Sequence, residues 1–258
     1  RFAKIVTDEL SDRLGGNYEI AGSALDDIQE WITKDINFAD FIEQDKKFLS
    51  SNNGFTLPKY EYKMKVPQSY EPESKYFVME ELIEGKNLTQ WDELVEEGHD
   101  MKQVSSLILK NYAKQILAGQ AHSDVHIGNF RVTAENEIAI LDRSFFLDLS
   151  SAEQEIIQTL INPFVALDNK KQLVMNYLQV PENLENIAEI NKGIERFATF
   201  LMDQKWNSAR KSLVNLKQQG VGIPLNFTLL MKNFNSIGQI LKKAGFTSFA
   251  QAYMYSPE

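Results

Sequence analysis

The chain has 258 residues, 43% of them hydrophobic and 11% aromatic, enough for one large or two modest packed domains and against disorder over most of its length. Lys and Arg number 27 against 36 Asp and Glu, a net charge of −9. No basic cluster offsets the repulsion of a nucleic-acid backbone, so no nucleic-acid partner is expected, while a local basic pocket for a nucleotide stays open.

The absence of cysteine excludes disulfides and thiolate metal sites and fits a reducing compartment. No signal peptide and no run of about 18 apolar residues is visible, so the expected location is cytoplasmic or peripheral to a membrane, with no spanning segment. Beginning at Arg1 rather than Met, the chain reads as a fragment or a processed form.

Phe2-Ala-Lys-Ile-Val6 reads as a short strand with Lys4 at its centre. Apolar spacing predicts helices over residues 23–31 and 38–49, the second with Phe38, Phe41, Ile42, Asp45 and Phe48 on related turns. Residues 56–66 alternate apolar and polar like a half-buried strand, and residues 75–80 resemble another across the turn-rich stretch 67–74. That strand runs out in Glu80-Glu-Leu-Ile-Glu-Gly85. From Asn87 the pattern turns helical, with Leu88, Trp91, Leu94 and Val95 on one stripe and a longer apolar helix over residues 104–117.

Next comes His122-Ser-Asp-Val-His-Ile-Gly-Asn129, which holds two of the three histidines. Residues 131–133 and 137–141 read as strands around the polar turn Ala134-Glu-Asn136, and such a hairpin returns Asp142 to the side of Asn129. Leu149-Ser150 with Glu153 three residues on is a capping box that starts a helix. Helices are then expected over residues 166–178, 184–218 with internal breaks, and 226–244, interrupted at Pro181 and at Gly220-Val-Gly-Ile-Pro224. Phe197, Phe200, Met202 and Trp206 read as core.

Phosphoryl transfer needs one Asp to orient the acceptor hydroxyl, an Asn five residues later for one Mg2+, and a second Asp beyond a hairpin to bridge metal and phosphates. Asp124, Asn129 and Asp142 fit these posts. Taken singly, each is better read as a turn or helix cap. A strand through His122, Asp124 and His126 would instead put three metal-binding side chains on one face. Against that stand Gly128-Asn129 and the lack of a further ligand at a zinc spacing, His99 being the remaining histidine. In a kinase frame Lys4 would grip the phosphates, and the backbone of Glu80, Glu81 and Leu82 would read the adenine edge with Met79 behind it. An exposed strand lysine and an ordinary strand end look the same.

The loop pattern H-x-D-x-H-x-G-N, followed by Leu141-Asp142, resembles the UbiB family of atypical kinase-like proteins, also called AarF or ADCK. The second His and the Gly before Asn set it apart from ordinary protein kinases. The likeness extends to Val78-Met-Glu-Glu-Leu-Ile-Glu-Gly85 as hinge and to Gly222-Ile-Pro224 near the C-terminal end, and covers most of the chain from about Phe2. Two departures stand out. The usual Asp-Phe-Gly is Asp142-Arg143-Ser144, where Arg143 could swing to phosphate or pair with an acid. The family's acidic helix motif aligns ambiguously at Asp35-Ile-Asn-Phe38, and Glu43 is preferred as the partner of Lys4 because the ion pair needs a carboxylate.

The resemblance implies an α+β, protein-kinase-like two-lobe fold, with a partial β-rich N-lobe over residues 1–84 ending at the hinge and a helical C-lobe over residues 85–258. It implies ATP and Mg2+ as cofactors, with Asp124, Lys4 and Glu43 catalytic, Asn129 and Asp142 on metal, and Lys4, Met79, Glu80, Glu81 and Leu82 around the nucleotide. It further implies an atypical kinase or ATPase supporting ubiquinone or other prenyl-lipid metabolism, with a quinone precursor and a membrane surface as partners. A nucleotide-binding pseudokinase scaffold and a small-molecule phosphotransferase are the alternatives. Lys242-Lys-Ala-Gly-Phe-Thr-Ser-Phe249 offers aromatics and charge for a membrane surface, or else phenylalanines that pack into the core.

Overall fold

A computed structural model describes residues 38–70, 79–143, 146–161, 186–202 and 205–257, with residues 169, 172–174, 177–178 and 180. The expected strand around Lys4 and the expected helix over residues 23–31 lie outside the described residues. Helix α1 (Phe38–Asn52) forms as its apolar spacing predicts, seating Phe48 in the core. Four short strands follow: β1 (Lys63–Lys65), β2 (Ser69–Tyr70), β3 (Met79–Glu80) and β4 (Lys86–Asn87). The expected strand over residues 56–66 shrinks to β1. Its first half turns at Lys59, in the left-handed region at φ +71°, where Tyr60 and Tyr62 send their hydroxyls into the helical part of the molecule.

A 3-10 turn (Leu88–Gln90) and α2 (Trp91–Glu96) bury Leu88, Trp91 and Leu94. Val95, expected on the same stripe, is exposed, at the last turn of α2, which ends one residue later. Helix α3 (Met101–Leu117) is capped by Asp100, whose carboxylate accepts from the N–H groups of Lys102 and Gln103. It is buried on nearly all sides, as a helix at the centre of a domain must be. Its buried polar residues form a relay: Asn111 donates to Asn52 at the end of α1, Gln115 donates to Asn111, and Gln115 accepts from the His122 N–H. Burying amides is tolerable here because each finds a partner.

Strand β5 (Gln120–His122) leads into a loop and 3-10 turn (Ile127–Asn129), then the hairpin β6 (Phe130–Val132) and β7 (Glu137–Ile140). The hairpin matches the sequence expectation, with Phe130 opposite Ile140 and Asn136 at φ +58° in the turn. The four-stranded sheet has the order β1-β7-β6-β4, with β1 parallel to β7 and the other pairs antiparallel. β8 (Phe146–Asp148) pairs antiparallel with β5. The predicted capping box opens α4 (Ser151–Ile161): Glu153 accepts from the Ser150 N–H, and Ser150 Oγ from the Glu153 N–H.

The C-terminal part is helical: α5 (Ile187–Met202), α6 (Trp206–Gln218), α7 (Leu225–Lys243) and α8 (Phe249–Met254). Phe197 is fully buried, as read from sequence. Phe246 and Phe249 are buried too, so they pack into the core. Phe249 meets Phe234 edge-on, and Phe246 meets Tyr255. Among the described residues no helix is long and apolar enough to cross a membrane.

Candidate active site

The loop between β5 and β6 is fixed by side chains beneath it. His122 is fully buried and uses both ring nitrogens: Nδ1 accepts from the Asp124 N–H at 2.9 Å, and Nε2 faces the Leu141 carbonyl at 3.1 Å. Nε2 therefore carries the proton. Burial pushes the imidazole down to about 4, against the opposing pull of the Leu141 carbonyl, so it is neutral near pH 7. Asn233, buried in α7, accepts from the Val125 N–H and donates to the His122 carbonyl and Tyr112 Oη. Asn87 donates to the Gly128 carbonyl at 2.6 Å.

These anchors define where the predicted posts stand. Asp124 is partly exposed, and its carbonyl accepts from Asn129 Nδ2 at 2.9 Å, which binds the two ends of the motif to each other. Gly128 packs closely under the His126 ring: a Cβ there would lie 2.8 Å from His126 Cε1, and the ring would have to shift to admit it. The Leu141 N–H donates to the Asn129 carbonyl at 2.8 Å, and so the hairpin delivers Asp142 beside Asn129. Asp142 takes a left-handed conformation at φ +51°, which Asp tolerates better than most residues. The turn leaves Asp142 exposed and Arg143 buried.

Asn129 spends its amide nitrogen on the loop, and the Asp142 carboxylate has no partner among the described residues. Mg2+ is held by one or two protein oxygens with substrate phosphates rather than by an all-protein cage, and this donor set fits that requirement. Among the described residues no cluster of three or more His, Cys, Asp or Glu could hold a metal. The zinc alternative fails for a direct reason: His122 has no free nitrogen, and His126 Nδ1 accepts from the Gly128 N–H.

At the strand end, Glu80 turns its carboxylate inward to Arg143, and Glu81 pairs with Lys65 at 2.8 Å, which holds the Glu81 carboxyl below its usual range. The Glu81 N–H is taken by the Gln68 carbonyl. Met79 and Leu82 are 51% and 84% exposed. Lys4 and any pairing with it lie outside the described residues. Glu43 is exposed on α1, whereas Asp45, two residues on, is buried and paired with Arg143.

Sequence reasoning missed four residues that the structure brings to this site. Asp45 and Asn233 had a signal, a polar residue on an otherwise apolar helical stripe. Asn87 and Lys232 had none. Lys232 Nζ lies 2.7 Å from Asp124 Oδ1, reached from α7 across more than one hundred positions of chain.

A mixed sheet, a buried His-x-Asp loop and a hairpin that returns an Asp beside an Asn define a kinase-like protein. The family model of the ABC1 atypical kinase-like domain matches residues 6–176, well over half of the chain, and the protein belongs to that family, the UbiB group of the sequence resemblance. Comparison with curated proteins finds no match.

Proposed function

We propose that this protein is an ATP- and Mg2+-dependent atypical kinase or ATPase of the UbiB type, acting in ubiquinone or other prenyl-lipid metabolism, in the cytoplasm or at a membrane surface. The observation that carries it is that hydrogen bonds gather Asp124, Asn129 and Asp142 where the loop meets the hairpin, with no partner for the Asp142 carboxylate among the described residues. Asn129 and Asp142 would hold the metal, which when bound neutralises charge on the phosphates. Asp124 orients a water or hydroxyl group. As the attacking oxygen bonds to the terminal phosphorus its proton passes to Asp124, and the bond to the bridging oxygen breaks to release ADP.

On this reading residues 1–84 form a partial N-lobe and residues 85–258 the C-lobe, with Lys4 on the phosphates and Glu43 as its partner. The exposed apolar surface of Met79 and Leu82 suits a flat purine. The Leu82 N–H, which has no acceptor among the described residues, supplies a donor for its edge.

A second reading, a nucleotide-binding scaffold without turnover, is favoured by the buried Arg143 in place of a mobile aromatic residue. Thermal unfolding of the full-length protein with ATP, with and without Mg2+, tests binding, since a ligand of the folded state raises its melting temperature. ATP hydrolysis with and without anionic vesicles and a phenolic quinone precursor then separates the readings. A Mg2+-dependent shift with hydrolysis is expected. A shift without hydrolysis favours the scaffold, no shift overturns both, and hydrolysis indifferent to lipid and precursor removes the lipid-pathway part.

A further inference from the structure

We infer that Lys232, on α7, is a phosphate-binding and positioning residue of this site: its ammonium orients Asp124 and contacts the terminal phosphate of ATP. The inference rests on the phosphoryl-transfer reading above and adds a residue from a distant helix. Lys232 Nζ lies 2.7 Å from Asp124 Oδ1, with His126 Nε2 3.7 Å from the other carboxylate oxygen. The position is held from below. The neighbouring Asn233 is fully buried and makes three hydrogen bonds, to Val125, His122 and Tyr112, which lock the register of α7 against the loop. Lys232 therefore emerges at the edge of the loop by construction.

The pair is not explained by stability. The two side chains are 47% and 30% exposed, and an ion pair open to water contributes little once the ordering of a lysine is set against it. Its electrostatic role is larger. Asp124 and Asp142 bring two carboxyl groups, ATP brings negative charge, and the cation next to Asp142 in sequence, Arg143, is buried against Asp45 and Glu80. A phosphoryl transfer site needs a cation where charge develops on the moving group. Lys232 is the lysine or arginine that the described residues pair with Asp124. Once Asp124 takes the proton of the attacking oxygen its charge is lost, and the ammonium is released toward the phosphate.

The test compares the full-length protein with Lys232→Ala and Lys232→Arg, measuring ATP and ADP affinity by calorimetry in Mg2+ and steady-state hydrolysis. Thermal unfolding checks that each variant is folded. Lys232→Ala should leave ADP affinity within about twofold, weaken ATP about tenfold and lower kcat by about a hundredfold. Lys232→Arg should restore most of the preference for ATP over ADP. A purely structural lysine would leave the ATP-to-ADP ratio unchanged. Such a ratio in a folded Lys232→Ala protein overturns the inference and leaves the phosphoryl-transfer reading standing. A wild-type protein that binds neither nucleotide overturns both.

Discussion

Arg143 Nε donates to Asp45 Oδ1 at 2.7 Å with both side chains sealed from solvent, so the residue that follows Asp142 is bolted to helix α1. The same guanidinium donates to Glu80 at 2.9 Å and to the carbonyls of Pro67 and Ile140. It joins α1, the stretch after β1, the strand end at Glu80 and the hairpin at one point. A buried guanidinium is tolerable under those conditions, because its donors are matched and its charge is met.

Removing Asp45 takes away the fully buried carboxylate and leaves Arg143 with Glu80. Asp45→Ala should destabilise the protein by about 3 kcal/mol, the low end of the range for breaking a buried pair from one side, because Glu80 still meets the charge. Asp45→Leu combined with Arg143→Met should recover much of the loss. Urea unfolding of the single and double variants measures both, and a single-variant loss below about 1 kcal/mol would show that the pair is dispensable.

Asp142→Asn should weaken Mg2+–ATP binding more than metal-free ATP binding, since an amide is a poorer ligand than a carboxylate for a hard dication. Asp124→Asn should spare binding and lower turnover. Equal losses with and without Mg2+ for Asp142→Asn would argue against a metal role there. Calorimetry and hydrolysis rates give the two readouts.

Gly85 has φ +138°, and an added Cβ would collide with the Val132 carbonyl oxygen and lie 3.0 Å from Thr133 Cα. Gly85→Ala should cost about 1–3 kcal/mol from backbone strain alone, with the collision added. Gly98→Ala should cost less, because at φ +88° the added Cβ meets nothing within 4 Å. Denaturant midpoints of the two variants decide it, and equal costs would refute the close approach of the strand end to β6.

Burial holds His122 at about 4, below the value of about 6.5 it has when unfolded. Between those two values the unfolded chain binds the extra proton, so this contribution to stability is full above pH 6.5 and is lost as pH falls toward 4. From pH 7 to pH 5 the group should account for a loss of about 2 kcal/mol. The pH dependence of urea unfolding should flatten by that amount in His122→Gln. An unchanged slope would mean that the imidazole is not held neutral.

Much of the site was legible because its parts are local. Asp124 and Asn129 lie within one loop, and the hairpin that carries Asp142 back is announced by two short apolar runs around a polar turn. The burial of Phe246 and Phe249 was not legible, since a phenylalanine beside lysines reads equally as membrane anchor or as core. The short β1 was also hidden: alternation over residues 56–66 is real, but Tyr60 is drawn to Ser106 and the Tyr255 carbonyl, and Tyr62 to His99, all remote in sequence.

The sequence by itself determined the kinase-like class, through residue types at fixed short spacings that backbone geometry converts directly into neighbouring side chains. Tertiary structure alone decided the partners of the charges. Whether Arg143 met a phosphate or an acid, whether Glu43 or Asp45 was the buried carboxylate of α1, and which cation reached Asp124 all depend on how separate helices pack. That packing is set by the burial of apolar faces such as those carrying Phe48 and Phe234, and the polar residues beside them are brought to their partners by it.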